Sequence, residues 1–443
     1  MMLTRPDKLL RWDVLERHLE EASFLWTQWE NGLGSASYCL KEVAEGDEHR
    51  MLAHLDALAA GGEQVAVRLL APALKGDDEE CVRVACFSLL SNGDGEDFEA
   101  VLQALAEGSE ARRQGSRRAL ELSPHEGLSG RILPLLTRRN EALVPLLLNV
   151  LDFRQVHPGS ALTELLLHDD PHVKTAALRA ARLWPADVPP SCVHHALNSP
   201  IPGVREAAIE AGLLCGMRGA WDACRRLVEM KGPSGELARV ALAMGGQDAD
   251  IERLLRLLSE SALQRDVLWA LGFSGRTSVA QSCLEWMHEP HRSAVAAEAF
   301  CAITGLVLQG DLVQERDPES TDELPPLEED LDTDLTPGPD AELPLPNAAA
   351  VSAWWNKARK DFSPDTRYLL GRPWTPARLL EALEGGPMRR RPVLAREVAI
   401  RSRRGVRIET RDLSYRQYRQ MQEARRSVEN AWALRPFAEW MRG

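Results

Sequence analysis

The chain has 443 residues, more than one typical globular core, with 44% hydrophobic and 27% charged residues, the balance of a soluble folded protein. Its formal charge of −13 hides three zones: −12 over residues 1–310, −12 over 311–343 and +11 over 344–443. The longest nearly apolar run, ALVPLLLNVL at 142–151, is too short to cross a bilayer, and MMLTRPDKLLRWDVLERHLEEA at the start lacks the apolar core of a secretory signal, so a cytoplasmic protein with no membrane contact is expected.

Ala and Leu dominate, β-branched residues are sparse, and this balance predicts helices. Eight cysteines, at 39, 81, 86, 192, 215, 224, 283 and 301, form no CxxC pair and sit mostly inside apolar helical patterns, where they read as buried free thiols. In chain order, residues 11–60 predict an irregular N-terminal cap of two helices, RWDVLERHLEEASFLWTQWE and EHRMLAHLDALAA.

A repeat follows. EECVRVACFSLL (79–90), SEARRQGSRRALEL (109–122), NEALVPLLLNVL (140–151), DPHVKTAALRAARL (170–183), PIPGVREAAIEAGLL (200–214), SGELARVALAMG (234–245), ALQRDVLWALG (262–272) and HRSAVAAEAFCAITG (291–305) are apolar helices of one kind. Their anchors, near 82, 112, 144, 173, 204, 237, 267 and 295, are 28 to 33 residues apart. Shorter amphipathic helices fall between them at 98–108, 128–138, 161–169 and 250–260, separated by Gly and Pro breakers such as Gly93, Gly95, Pro124, Pro158 and Gly159. Asp169-Asp170-Pro171 is a helix start, an acidic cap followed by Pro in the first turn. One such helix pair cannot bury its own apolar face, whereas stacked pairs bury each other's. The wording D-P-x-V-[RK]-x-x-A-[AL] resembles the HEAT repeat in a short form of about 30 residues. The fold expected is an all-α, right-handed α-solenoid of about nine such pairs.

Residues 309–346 break the pattern. ERDPESTDELPPLEEDLDTDLTPGPDAELPLP is rich in Asp, Glu and Pro and too poor in apolar residues to offset its ordering entropy, so it predicts a disordered acidic linker that can fold back on the basic region. Beyond it, Thr375-Pro376 starts a helix over 376–385, RPVLAREVAIRS reads as its partner in one further HEAT-like unit, GVRIETRDLS is a short strand or loop, and the rest closes in helices. The division expected is a cap at 1–60, a solenoid at 61–308, the linker at 309–346 and a C-terminal helical region at 347–443.

EAFCAITGLVL (298–308), the acidic stretch, LPLPNAAAVSAWW (343–355) and RYLLGRPW (367–374), in that order, resemble an uncharacterised bacterial family of HEAT-like proteins. Its members occur in proteobacteria, myxobacteria included, some beside type VI secretion and toxin effector genes. The resemblance spans about 40–400 and its specific motifs lie in 298–374. It implies a non-enzymatic immunity or adaptor protein and supplies no catalytic residues.

The residues themselves point the same way. No GxxxxGK[ST], GxSxG or HExxH motif occurs. Cys283, His288 and His291 straddle a helix end and lack a fourth zinc ligand, His194-His195 beside Cys192 is no stronger, and His168, His172 and His195 do not form the repeated His-Glu series of an iron hydroxylase. Neither metal nor cofactor is expected. Trp354-Trp355 and Trp374 read as packing residues. The Arg-rich segment offers a nucleic-acid alternative, with Arg389, Arg390, Arg391, Arg401, Arg403 and Arg404 on phosphates and Tyr415 and Tyr418 stacking on bases, against a solvated Arg face or one paired with the acids of 311–343. The favoured reading is protein binding on the concave face, with Arg179, Arg182, Glu206 and Glu210 as contacts and a basic toxin or effector as partner. A general assembly scaffold is the other alternative.

Overall fold

The computed structural model describes residues 10–92, 95–137, 142–314, 338–403, 405–427 and 432–442; Gly93, Arg404 and residues 315–337 of the acidic stretch lie outside them. The fold is all-α and solenoid-like. All eight anchor stretches are helices: Glu79–Asn92, Glu110–Leu122, Val144–Phe153, Pro171–Ala181, Pro202–Leu214, Pro233–Gly245, Gln264–Leu271 and Ser293–Thr304. Each packs on the next in chain order, as stacking to share one core requires. The intervening helices are Gly95–Glu107, Leu128–Ile132, Ala161–Leu166, Pro190–Leu197, Arg218–Leu227, Asp248–Arg256 and Thr277–Trp286. Pro190–Leu197, Arg218–Leu227 and Thr277–Trp286 add to the four intervening helices named from the sequence.

Local chemistry sets the helix starts and the close approaches. Asp170 Oδ1 accepts from the amides of His172 at 2.6 Å and Val173 at 3.3 Å, and Pro171 occupies the first turn, where no amide is needed. Ala176, Ala177, Ala180 and Ala181 are buried, as are Ala207, Ala208 and Ala211, so these helices meet over small side chains. The N-terminal cap consists of Trp12–Gly32 packed on His49–Ala60. Trp26 and Trp29 are fully buried within it, and the Trp29 indole donates to Glu48 at 2.8 Å.

The acidic stretch is an insertion closed at its base rather than a spacer between distant bodies. The Gln314 amide donates to Leu345 O at 2.9 Å, Asn347 to Leu312 O at 2.8 Å, and Val313 bridges Pro346 antiparallel. The chain thus resumes where it left. Ala348–Ala358 then packs on Thr277–Trp286, Trp355 is buried with its indole donating to Gln281 at 3.0 Å, and Trp354 and Trp355 both pack edge-on to Phe300. A two-residue hairpin follows, Tyr368–Leu369 against Arg372–Pro373. Its tip, Leu370 (φ +49°) and Gly371 (φ +74°), donates backbone amides to Ala302 O and Ile303 O, the open carbonyls at the end of the last anchor helix.

The C-terminal helix pair, Pro376–Gly385 and Arg391–Arg401, forms as expected, but it turns back onto the array. Arg391–Arg401 lies on Pro202–Leu214, in the middle of the stack, and Pro376–Gly385 reaches Leu40–Val43 in the cap. Residues 405–413 are loop, not strand, and lead to Ser414–Ser427, whose first amide and hydroxyl both donate to Glu48. The chain's end is pinned too. Arg442 pairs with Met217, and the Phe437 ring sits so close to Gly245 that a Cβ there would lie 2.1 Å from it. Among the described residues no helix is long and apolar enough to cross a membrane.

Candidate partner-binding face

The face formed by the anchor helices is the one proposed from sequence to meet a partner. The chain's own C-terminal region lies against part of it and reaches the array through a series of arginines. Arg389 and Arg390 approach Glu298, Arg390 also donates to Gly272 O at 2.9 Å, and Arg389 bonds Asp340 at 2.9 Å. Arg396 pairs with Glu210 at 3.2 Å, and Arg401 donates to Met244 O at 2.8 Å. Arg407 pairs with Asp152 at 2.9 Å, Arg411 pairs with Glu30, and Arg416 donates to Leu122 O at 3.1 Å. From 389 to 416 the segment therefore meets the array in broadly reverse order, about one arginine per repeat.

Arg182 and Glu210, two of the four expected contacts, are internal to this seam. They pair at 2.8 Å, and Arg182 also holds Asp152 at 2.7 Å. Burial alone would raise the Glu210 carboxyl, but Arg182 and Arg396 outweigh it and hold it down at about 2. Burial would lower the Arg182 guanidinium, yet Glu210 and Asp152 keep it well above its ordinary range. A cavity of about 170 Å³ lies beside the pair, walled by Pro392, Ala395, Val406 and Ile408 of the C-terminal region. These two residues thus bind the chain to itself and present little to a partner. Arg179 and Glu206, the other two, do share an open groove of about 360 Å³ with Glu236, Leu237, Trp269 and Arg396.

The nucleic-acid contacts require a larger correction. Arg390 and Arg391 are buried and the Arg389 side chain is only 9% exposed, so none of the three can reach a phosphate. Charges removed from water must be paired or hydrogen-bonded, and these are. Among the described residues Arg391 forms no ion pair with a carboxylate. It donates to Leu383 O and to Gln417, and burial pulls its guanidinium down to about 10. Arg401 is buried on Glu397, which Arg367 also binds, and the Arg367 and Arg401 guanidiniums both approach the Trp374 ring, at 4.9 and 4.7 Å from its centre. Arg403 is exposed near Trp440, and Arg404 lies outside the described residues. Tyr415 is exposed, and Tyr418 is half-buried. Of the acids of 311–343 expected to pair with the arginines, Asp340 does so, bridging Arg389 and Arg265.

The remaining candidates do not converge. Cys283 is buried, and burial pushes its thiol up to about 12, as it does for Cys86, Cys224 and Cys301; His288 and His291 are solvent-facing on the turn beyond it. Among the described residues no group of three or more His, Cys, Asp or Glu is placed to hold a metal ion. Glu298 is a buried carboxylate whose oxygens make no hydrogen bond among the described residues, with Arg389 at 3.5 Å and Arg390 at 3.7 Å, and burial raises it despite them.

Sequence reasoning missed Asp152, Glu298, Arg396 and Arg407. Their signal was a carboxylate on an otherwise apolar anchor helix, matched by arginines at intervals of four to seven residues downstream.

No family model matches the chain, and no curated protein is similar to it in sequence. Two solved structures share a distant likeness. One is a crystal structure of the Escherichia coli protein YibA, at 12% identity over 56% of this chain and 94% of that one, with a TM-score of 0.38. The other is an engineered protein, at 16% identity over 63% of this chain and 87% of that one, with a TM-score of 0.29.

Proposed function

We propose that the chain is a non-enzymatic, cytoplasmic protein-binding solenoid that holds a basic secreted effector or toxin as its immunity or adaptor protein. The observation that supports this reading most is the seam itself. The array's inner carboxylates, Asp152, Glu210 and Glu298, each take arginines from a basic segment, so the face has the chemistry of a receptor for cationic protein surface. The charge of −12 over residues 1–310 would steer a basic partner towards it, and nuclease toxins carry such surfaces. Neutralisation would proceed by covering the toxin's active surface, with no bond made or broken.

The experiment is capture from the native cell on tagged full-length chain, washed at moderate salt, with partners identified by mass and then assayed. A single basic protein held one to one, whose toxic activity falls on adding the chain, supports the proposal. Several structural proteins and no toxin would favour a general scaffold instead.

A further inference from the structure

Asp152, Glu210 and Glu298 on the anchor helices are matched by C-terminal arginines, but Glu206 and Glu236 are not. Glu206 and Glu236, on the neighbouring helices Pro202–Leu214 and Pro233–Gly245, both line the open groove of about 360 Å³. Glu206 accepts a hydrogen bond from the Ser234 hydroxyl at 2.9 Å, and Arg205 donates to the same hydroxyl at 3.3 Å. Glu236 is exposed. Neither forms an ion pair among the described residues, whereas Glu210, on the same wall, holds Arg182 and Arg396. At the groove's far end Trp269 already carries two guanidiniums, those of Arg389 at 4.7 Å and Arg390 at 5.2 Å from its ring centre. Arg179, Arg265 and Arg396 also line the groove, but Arg265 is held by Asp266 and Asp340 and Arg396 by Glu210, which leaves Glu206 and Glu236 as groove carboxylates without an ion pair among the described residues.

We infer that this groove seats a basic segment of the partner protein, with Glu206 and Glu236 as the carboxylates that receive its arginine or lysine side chains. The apolar wall of Leu237, Val240 and Val393 covers the side-chain stems, as long cationic residues prefer. Arg179, exposed at the end nearest Pro171–Ala181, repels further positive charge and limits the segment to a few residues. The inference rests on the protein-binding reading above and assigns it a surface.

The test uses full-length chain and a fluorescein-labelled octa-arginine peptide, followed by polarisation at moderate salt. E206Q/E236Q should weaken binding about tenfold, while E99Q/E252Q, which removes the same charge from exposed positions outside the groove, should change it less than about twofold. Matching melting curves confirm that both variants fold. Equal losses in the two variants, or no loss in either, would overturn the assignment, because the peptide would then report only the general negative charge. Failures of the two readings separate cleanly. A captured toxin that binds E206Q/E236Q undiminished removes the groove and leaves the function. Groove-dependent peptide binding with no toxin captured does the reverse.

Discussion

Glu210 illustrates what a buried ion pair does in this molecule. Its carboxyl is held at about 2 although burial works against ionisation, because Arg182 and Arg396 face it. A depressed folded-state pKa means that the stabilisation is fully present above the unfolded value near 4.5 and is lost as pH falls through about 2. E210Q should therefore cost about 3 kcal/mol at neutral pH, measured by urea unfolding, and the wild-type chain should lose that advantage between pH 5 and 2. A variant as stable as wild type at pH 7 would show that the pair adds nothing. Glu397 makes a parallel case. It is buried between Arg367 and Arg401, so E397Q leaves two guanidiniums without their counter-charge and should cost roughly 3–5 kcal/mol by the same measurement.

The element that most clearly explains a sequence motif is the hairpin at 368–373. RYLLGRPW and EAFCAITGLVL, the two most distinctive stretches either side of the insertion, touch: the amides of Leu370 and Gly371 close the carbonyls of Ala302 and Ile303. Gly371 is required twice over, by its φ of +74° and because a Cβ would lie 2.5 Å from Thr304 O. G371A should destabilise the chain by about 1–3 kcal/mol and loosen the last anchor helix first, seen as faster amide exchange over 293–304. Unchanged exchange there would mean that the hairpin does not seal the helix. The motif has a structural role, which fits its failure to suggest any chemistry when read as sequence. Anchor helices were legible for a simple reason: a period near 30 with Val, Ala and Leu on one face leaves few alternatives to a stack. The C-terminal fold-back was not, because its contacts join residues far apart in the chain, 118 positions for Arg390 and Gly272 and 381 for Arg411 and Glu30, and no local pattern encodes which carboxylate each arginine will meet. Arg389, Arg390 and Arg391 show the cost of that gap. A run of three arginines reads as a solvated or phosphate-binding patch, and only the packing of Pro376–Gly385 and Arg391–Arg401 against the array buries it.

Across the whole molecule, the basic C-terminal region and the acidic array are two halves of one structure, and their opposite charges in sequence are the trace of that pairing. Contacts from Glu48 to Ser414, Asp152 to Arg407 and Met217 to Arg442 tie the cap and the middle of the array to the C-terminal region, so the chain should unfold as one unit rather than repeat by repeat. The C-terminal region covers part of the anchor-helix face, and the groove at Glu206 and Glu236 is a part that stays open. The most direct test of this arrangement is a double-mutant cycle on Asp152 and Arg407, 255 residues apart in sequence, with D152A, R407A and the double variant compared by urea unfolding. The fold-back predicts a coupling energy of about 1–3 kcal/mol. Additive effects within about 0.5 kcal/mol would contradict it, and would return the inner face of the array to the solvent.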